Sequence, residues 1–143
     1  MREFKFKAWV KPEQLSSHMN GVIADAKPNF YESDCLIERL DLTGEKNFRE
    51  IFDFDRIKLM EYTGLNDDNG VEIYEGYKIK NTDGRIYAVT FANGAFGCEE
   101  SITIDYRTQE KLKQHKPLSY YVWDGCEVVG NIYEDKDLLE EEE

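Results

Sequence analysis

The sequence predicts a mainly β fold, with short strands closing into a small barrel after an N-terminal β-rich extension and a few short helical turns. Three observations predict it. Apolar residues recur with period two in several short runs. Gly-containing turn signals separate those runs at close spacing. Aromatic residues make up 13% of the 143 residues, a share that favours strands and a packed interior over disorder.

The elements follow in chain order. Over residues 3–9, Phe4, Phe6 and Ala8 share one face of a strand and Lys5 and Lys7 take the other. Lys11-Pro12 through Asn20-Gly21 reads as a turn-rich connection with room for one helical turn after Pro12. Residues 22–33 fit no single period, and Pro28-Asn29 argues for a loop or a strand end before Phe30-Tyr31. Cys35-Leu36-Ile37 and Leu40-Asp41-Leu42 suggest a strand closed by Thr43-Gly44-Glu45. Asn47 to Asp55 fits both a short helix and a strand. Arg56 to Tyr62 alternates with apolar groups of both parities, so both faces of that strand are partly covered.

Leu65 to Gly70 is a dense turn. Tyr77 to Lys80 follows as a strand, with Tyr77 and Ile79 on one side and Lys78 and Lys80 on the other. Asp83-Gly84 and Asn93-Gly94 are hairpin signals that call for positive φ. Between them, Tyr87, Val89 and Phe91 line one face of a return strand. Phe96 and Ile102 to Tyr106 continue the meander. Residues 107–116 are polar and read as an exposed loop or short helix. Tyr120-Tyr121-Val122-Trp123 is an apolar patch that must be buried or used. Glu127 to Tyr133 is a last strand, and Asp135 can cap a short helix ending at Leu138-Leu139. The expected organisation is one unit over 1–139, with a β-rich part over 1–55, a barrel part over 56–139 and an acidic tail over 140–143.

The net charge is -12, unevenly spread. Residues 134–143 hold seven carboxylates against one lysine and so carry half of it. The tail aids solubility and repels polyanions locally, without making the folded body an acidic binding surface. Cys35, Cys98 and Cys126 are odd in number and lack CxxC spacing, which argues against a disulfide framework. The alternating opening excludes a signal-peptide apolar core. No run approaches the ~18 apolar residues a membrane helix needs. The expected compartment is the cytoplasm.

Several segments resemble the YopX family of phage and prophage proteins in the family's own order. They are Arg2-Glu3-Phe4-Lys5-Phe6-Lys7-Ala8-Trp9 near the start, Met60-Glu61-Tyr62-Thr63-Gly64-Leu65 through Ile73-Tyr74-Glu75-Gly76 in the middle, and Glu127-Val128-Val129-Gly130-Asn131-Ile132-Tyr133-Glu134 at the end. The resemblance implies an SH3-like barrel in the later two-thirds and a bacterial host cell as the setting. It implies no catalytic residues. This chain has Tyr77 where the family usually has Asp, so a role tied to that Asp would be missing here.

The chemistry-bearing motifs are few. With Gly70 at loop position six, a calcium loop would need carboxylates where Leu65 and Gly76 stand, so the plain turn is preferred. Zinc needs about four convergent ligands, and three scattered cysteines with His18 and His115 do not supply them. No GxSxG, phosphate-loop or HExxH signature occurs. The expectation is therefore a protein with no enzymatic activity, cofactor or metal. Basic residues with aromatics mark two candidate nucleic-acid contacts, Lys5 and Lys7 near Trp9, and Arg107, Lys111, Lys113 and Lys116 before the Tyr-Tyr-Val-Trp patch. Their simpler reading is a solvated strand face that guards a sheet edge. An acidic DNA mimic is a further reading, weakened by how much of the charge lies in the tail. The preferred reading is protein–protein contact or self-association, with a host protein, a phage protein or a second copy as partner. Trp9, Tyr120, Tyr121 and Trp123 are the interface candidates.

Overall fold

Alternation builds the first half of the chain. The computed structural model describes residues 4–12, 21–40 and 47–134, and the chain passes from one folded unit to a second between Tyr62 and Thr63. In the first unit, β1 (Phe6–Val10), β2 (Ile23–Asn29), β3 (Asp34–Leu40), β4 (Asn47–Asp53) and β5 (Ile57–Asn66) form an antiparallel sheet in the order β4-β3-β2-β1-β5. Ala8 and Val10 of β1, Ala24 and Ala26 of β2, Cys35 and Ile37 of β3, Phe52 of β4 and Ile57 of β5 make its core. Each pair stands two residues apart, as one face of a strand requires. The other face carries ion pairs. Lys7 Nζ lies 3.0 Å from Asp25 Oδ1, and Glu38 accepts from both Lys27 (3.2 Å) and Arg49 (2.9 Å). Those two cations hold the Glu38 carboxyl below its usual range through hydrogen bonds.

β2 ends at Asn29, before Phe30-Tyr31 as expected, and Pro28 lies inside the strand. The pairing of β2 with β1 stops at Phe6–Ala26, whereas its pairing with β3 runs on through Pro28–Cys35 to Asn29–Asp34. Among the described residues Pro28 is thus paired in the ladder with β3 and not with β1, a position that tolerates a missing N–H. Asn47 to Asp53 is a strand. A single 3-10 turn, Phe54–Arg56, then reverses the chain into β5. The expected helical turn after Pro12, the Thr43-Gly44-Glu45 turn and the Asp135 cap lie at residues outside those described.

The second unit starts at the end of β5. Asp67 organises the turn that follows. Its Oδ1 accepts from Asn69 N–H (2.9 Å) and Val71 N–H (2.8 Å), and its Oδ2 accepts from Val128 N–H (2.8 Å). A carboxylate satisfied by three backbone donors can be buried, and Asp67 is 7% exposed. Thr63 Oγ1 donates to Ile73 O across 2.8 Å, which ties the end of β5 to β6 (Glu72–Tyr74) beside it.

β7 (Tyr77–Asn81), β8 (Ile86–Ala88), β9 (Thr90–Ala92), β10 (Ala95–Asp105), β11 (Glu110–Pro117), the helix α1 (Leu118–Asp124) and β12 (Cys126–Asn131) complete the unit. The strands form two antiparallel three-stranded sheets, β12-β7-β8 and β11-β10-β9. Ile73, Ile79, Val89, Cys98, Leu118, Tyr121 and Cys126 are its core.

The fold is mainly β, as expected, but among the described residues no sheet closes into the SH3-like barrel. The return strand expected over Arg85 to Phe91 breaks at Val89. Val89 N–H donates to Tyr77 O and its carbonyl accepts from Gly76 N–H. Past that point the chain pairs with β10 instead of β7, so β8 and β9 belong to different sheets.

The two hairpin signals differ. Asn93 and Gly94 both have positive φ, at 53° and 80°, and Ala92 pairs with Ala95 around them, which is the two-residue turn expected of Asn-Gly. In the β7–β8 turn only Gly84 has positive φ, and Gly84 N–H donates to Asn81 O. Residues 110–117 form neither loop nor helix. They pair with β10 from Gly97–Pro117 to Asp105–Glu110, so the backbone partner overrides a sequence with no strand pattern. Lys78 is not on a solvated face but fully buried, at 0% exposure.

Candidate interaction surface

The helix α1 sorts the Tyr-Tyr-Val-Trp patch. Leu118 and Tyr121, three residues apart, point inward at 2% and 1% exposure. Tyr120 and Trp123, also three apart, share an outward side at 54% and 93%. Gly125, at φ 110°, ends the helix, and its N–H donates to Tyr121 O. The patch is therefore divided: half closes the core and half is open to solvent.

Tyr121 is held on the inner side by more than packing. Its hydroxyl donates to Glu100 Oε2, and its ring centroid lies 5.5 Å from the tilted ring of Tyr87 and 5.3 Å from Tyr120, which it meets edge-on. Burial, reinforced by the Glu100 hydrogen bond, pushes the phenol far above its ordinary range. It is a neutral donor, with no face to offer a partner. On the outer side, Lys116 Nζ stands 4.8 Å from the Tyr120 ring centroid, within cation–π range. Trp9 is half-buried in β1, between Ile23 and Lys58 in register, and belongs to the first unit.

The basic candidates are mostly neutralised by their own neighbours. Lys7 pairs with Asp25, Arg107 with Asp105 (3.8 Å), Lys113 with Glu99 (3.8 Å) and Lys116 with Glu100 (3.6 Å). Lys5 Nζ lies 5.4 Å from the Tyr62 ring centroid. Lys111 is exposed opposite Thr103. Lys5 and Lys7 sit in the first unit and the other four in the second.

A cleft of about 240 Å³ in the second unit is lined by Asp68, Asn69, Lys80, Asn81, Thr82, Gly125, Cys126 and Glu127. Its walls are sewn together. Asp68 N–H donates to Cys126 O (3.0 Å), and Thr82 Oγ1 donates to Asp124 Oδ2 (3.1 Å). A Cβ on Gly125 would stand 3.1 Å from Asp68 Oδ2. Small-molecule sites occupy roughly 300–1,000 Å³ and are mostly apolar, which this cleft is not. Cys126 contributes no nucleophile, since burial pushes its thiol up to about 11. Among the described residues no three His, Cys, Asp or Glu side chains converge in a way that would hold a metal ion, and no helix is long and apolar enough to cross a membrane.

Sequence reasoning missed the outer part of the β10–β11 hairpin, where Ile102, Ile104 and Leu112 are 39%, 54% and 56% exposed. The alternation of Ile102 and Ile104 was visible, but residues 110–117 gave no sign of pairing beside them.

A family model described as YopX protein matches residues 5–140. The crystal structure of protein EF1440 from Enterococcus faecalis is similar over 98% of this chain and 100% of its own, at 23% identity and a TM-score of 0.57. At that identity the likeness is one of fold. No curated protein matches the chain.

Proposed function

The chain belongs to the YopX family, and from that premise we propose that it acts through protein contacts, without catalysis, using the outward side of α1. The observation that carries this is Trp123, 93% exposed beside Tyr120 on a helix whose other side is core. A surface Trp leaves a large apolar area in water, and Trp and Tyr dominate the energy of protein interfaces. The helix is anchored at Leu118 and Tyr121, so the aromatic pair is presented rigidly and little ordering cost falls on binding. Under the phage setting that the resemblance implies, the partner is a host or phage protein in the bacterial cytoplasm.

The nucleic-acid reading is less well supported. Four of its six candidate cations already face a carboxylate within 4 Å, and counterion release needs cations free to meet phosphates. The sewn cleft and the raised thiol of Cys126 likewise favour a structural reading over an active site.

The test is affinity capture from host lysate with the parent chain and with Tyr120→Ala/Trp123→Ala. Trp123 is exposed, and Tyr120 gives up only its contacts with Tyr121 and Lys116, so the double variant should lose about 1–2 kcal/mol and stay folded. The expected result is a specific protein retained by the parent and lost by the variant. Equal retention by both would remove α1 as the contact.

A further inference from the structure

We infer that the outer face of the β10–β11 hairpin is a two-fold self-association surface, and that its occupant is a second copy of this chain. It is separate from the α1 contact proposed above and is argued from different residues.

Strand alternation puts Cys98, Glu100 and Ile102 on one face of β10, with Lys116, Gln114 and Leu112 opposite them on β11. The inner rungs of this face are covered. Cys98 is in the core, Tyr121 donates to Glu100, and Lys116 lies over Tyr120. The next rung outward, Ile102 against Leu112, is open, and Ile104 follows it at the irregularity between Thr103 and Asp105. The opposite face is charged or polar, with Glu99, Ser101 and Thr103 facing His115, Lys113 and Lys111. Past the irregularity the Ile102–Leu112 face continues as Asp105 against Glu110, so its open apolar part is the Ile102–Leu112 rung with Ile104 beside it. Ile102, Ile104 and Leu112 leave on the order of 300 Å² exposed, the size of an apolar patch that marks a contact site and less than the about 800 Å² per partner of a standard interface, which fits a dimer that forms only at high concentration.

Charge selects the second copy. Residues 99–117 hold four carboxylates and four cations, and three of those cations are paired within the hairpin. The hairpin itself therefore carries no net charge to recruit a polyanion or a basic partner. A locally neutral patch with an apolar centre can meet its own copy without like-charge repulsion at the contact, which a two-fold interface requires. Pairing through the free edge of β11 is disfavoured. A two-fold antiparallel pairing about its centre would set Lys111 against Lys116, and like charges directly opposite destabilise a ladder. The copies therefore pack face to face. Because each carries a net negative charge, screening should tighten the dimer, whereas salt weakens phosphate binding.

The experiment is sedimentation velocity on the full chain from about 1 to 200 μM, at 50 and 500 mM NaCl. The parent should shift from monomer to dimer with concentration, and more so at high salt. Ile102→Glu should weaken the dimer at least about 100-fold, since the substitution enters a two-fold interface twice. At low concentration it should cost the monomer only about 1 kcal/mol, the loss of the cross-strand contact with Leu112. Leu112→Cys should give a disulfide-linked dimer on mild oxidation, because Cys35, Cys98 and Cys126 are all buried. A parent that stays monomeric at both salts overturns the inference, as does a dimer indifferent to Ile102→Glu. A dimer lost instead by Trp123→Ala would move self-association to α1, overturning this surface while leaving the contact reading intact.

Discussion

Replacing Lys78 by Met tests the structure where it departs furthest from the usual rule for charged side chains. Lys78 lies on β7, the middle strand of the β12-β7-β8 sheet, and is 0% exposed. Its register neighbours are Ala88 and Gly130. A methyl group and a bare backbone leave room for a four-carbon stem to lie along that face. Among the described residues no hydrogen-bond partner reaches Nζ. A buried donor without a partner costs about 1–3 kcal/mol, and more when it is charged. Met keeps the length and flexibility of the stem and removes the donors. The expected outcome is a gain of about 1–3 kcal/mol, or roughly 3–10 °C in melting temperature for a chain of this size. Urea unfolding followed by circular dichroism reads it directly. Lys78→Ala is the control. It also removes the donors but leaves a cavity, so it should fall below Lys78→Met by about 1–3 kcal/mol. A Lys78→Met variant less stable than the parent would refute the reasoning, because the amine would then hold a favourable contact in the native protein.

Asp67→Ala should destabilise the second unit by about 3 kcal/mol, since it strips an acceptor from the N–H groups of Asn69, Val71 and Val128 at once. Asp67→Asn should recover part of that loss in the same urea titration. Gly97→Ala should cost more than about 2 kcal/mol, because a Cβ would intrude on the Lys116 carbonyl and stand 2.9 Å from His115 Nε2; thermal melts report it. Burial pushes the Cys98 thiol up to about 12 and those of Cys35 and Cys126 up to about 11. An unfolded thiol ionises near pH 8.5, so above that pH the unfolded chain binds fewer protons than the folded one and stability falls. Each thiol then removes about 1.4 kcal/mol per pH unit up to its folded pKa. Urea titrations from pH 8 to 10 check the slope, and constant stability over that range would contradict it.

The parts of the fold set by local chemistry were legible in the sequence. Asn93-Gly94 specifies its turn because few residue pairs adopt positive φ twice in succession. Ala8, Ile37 and Ile79 declare their buried faces through alternation. Long-range pairing was not legible. The strand at 110–117 exists because β10 offers it a ladder, and β2 continues through Pro28 because β1 has already ended there. The break at Val89 was hidden for the same reason. Tyr87, Val89 and Phe91 alternate as one strand would, and only the bonds of Val89 to Gly76 and Tyr77 show the chain leaving one sheet for another.

The candidate surfaces are places where position and residue type disagree, and such disagreements are expected at functional sites. Alternation alone assigns Lys78 to solvent, yet it is buried. Hydrophobicity assigns Trp123, Ile102 and Leu112 to the interior, yet they are open. These cases differ in physical kind. The open residues cost little in the monomer beyond apolar area in water, and that area is recovered when a partner covers it. Lys78 is a cost within the fold itself. The Lys78→Met and Ile102→Glu experiments therefore separate along one axis. The first should change unfolding at any protein concentration. The second should act mainly on what depends on concentration, because a self-association surface contributes stability through mass action and the monomer loses only the contact of Ile102 with Leu112. A concentration-independent loss above about 3 kcal/mol in Ile102→Glu, the scale of a core substitution, would place Ile102 in the core of the monomer and leave the hairpin with no surface to share.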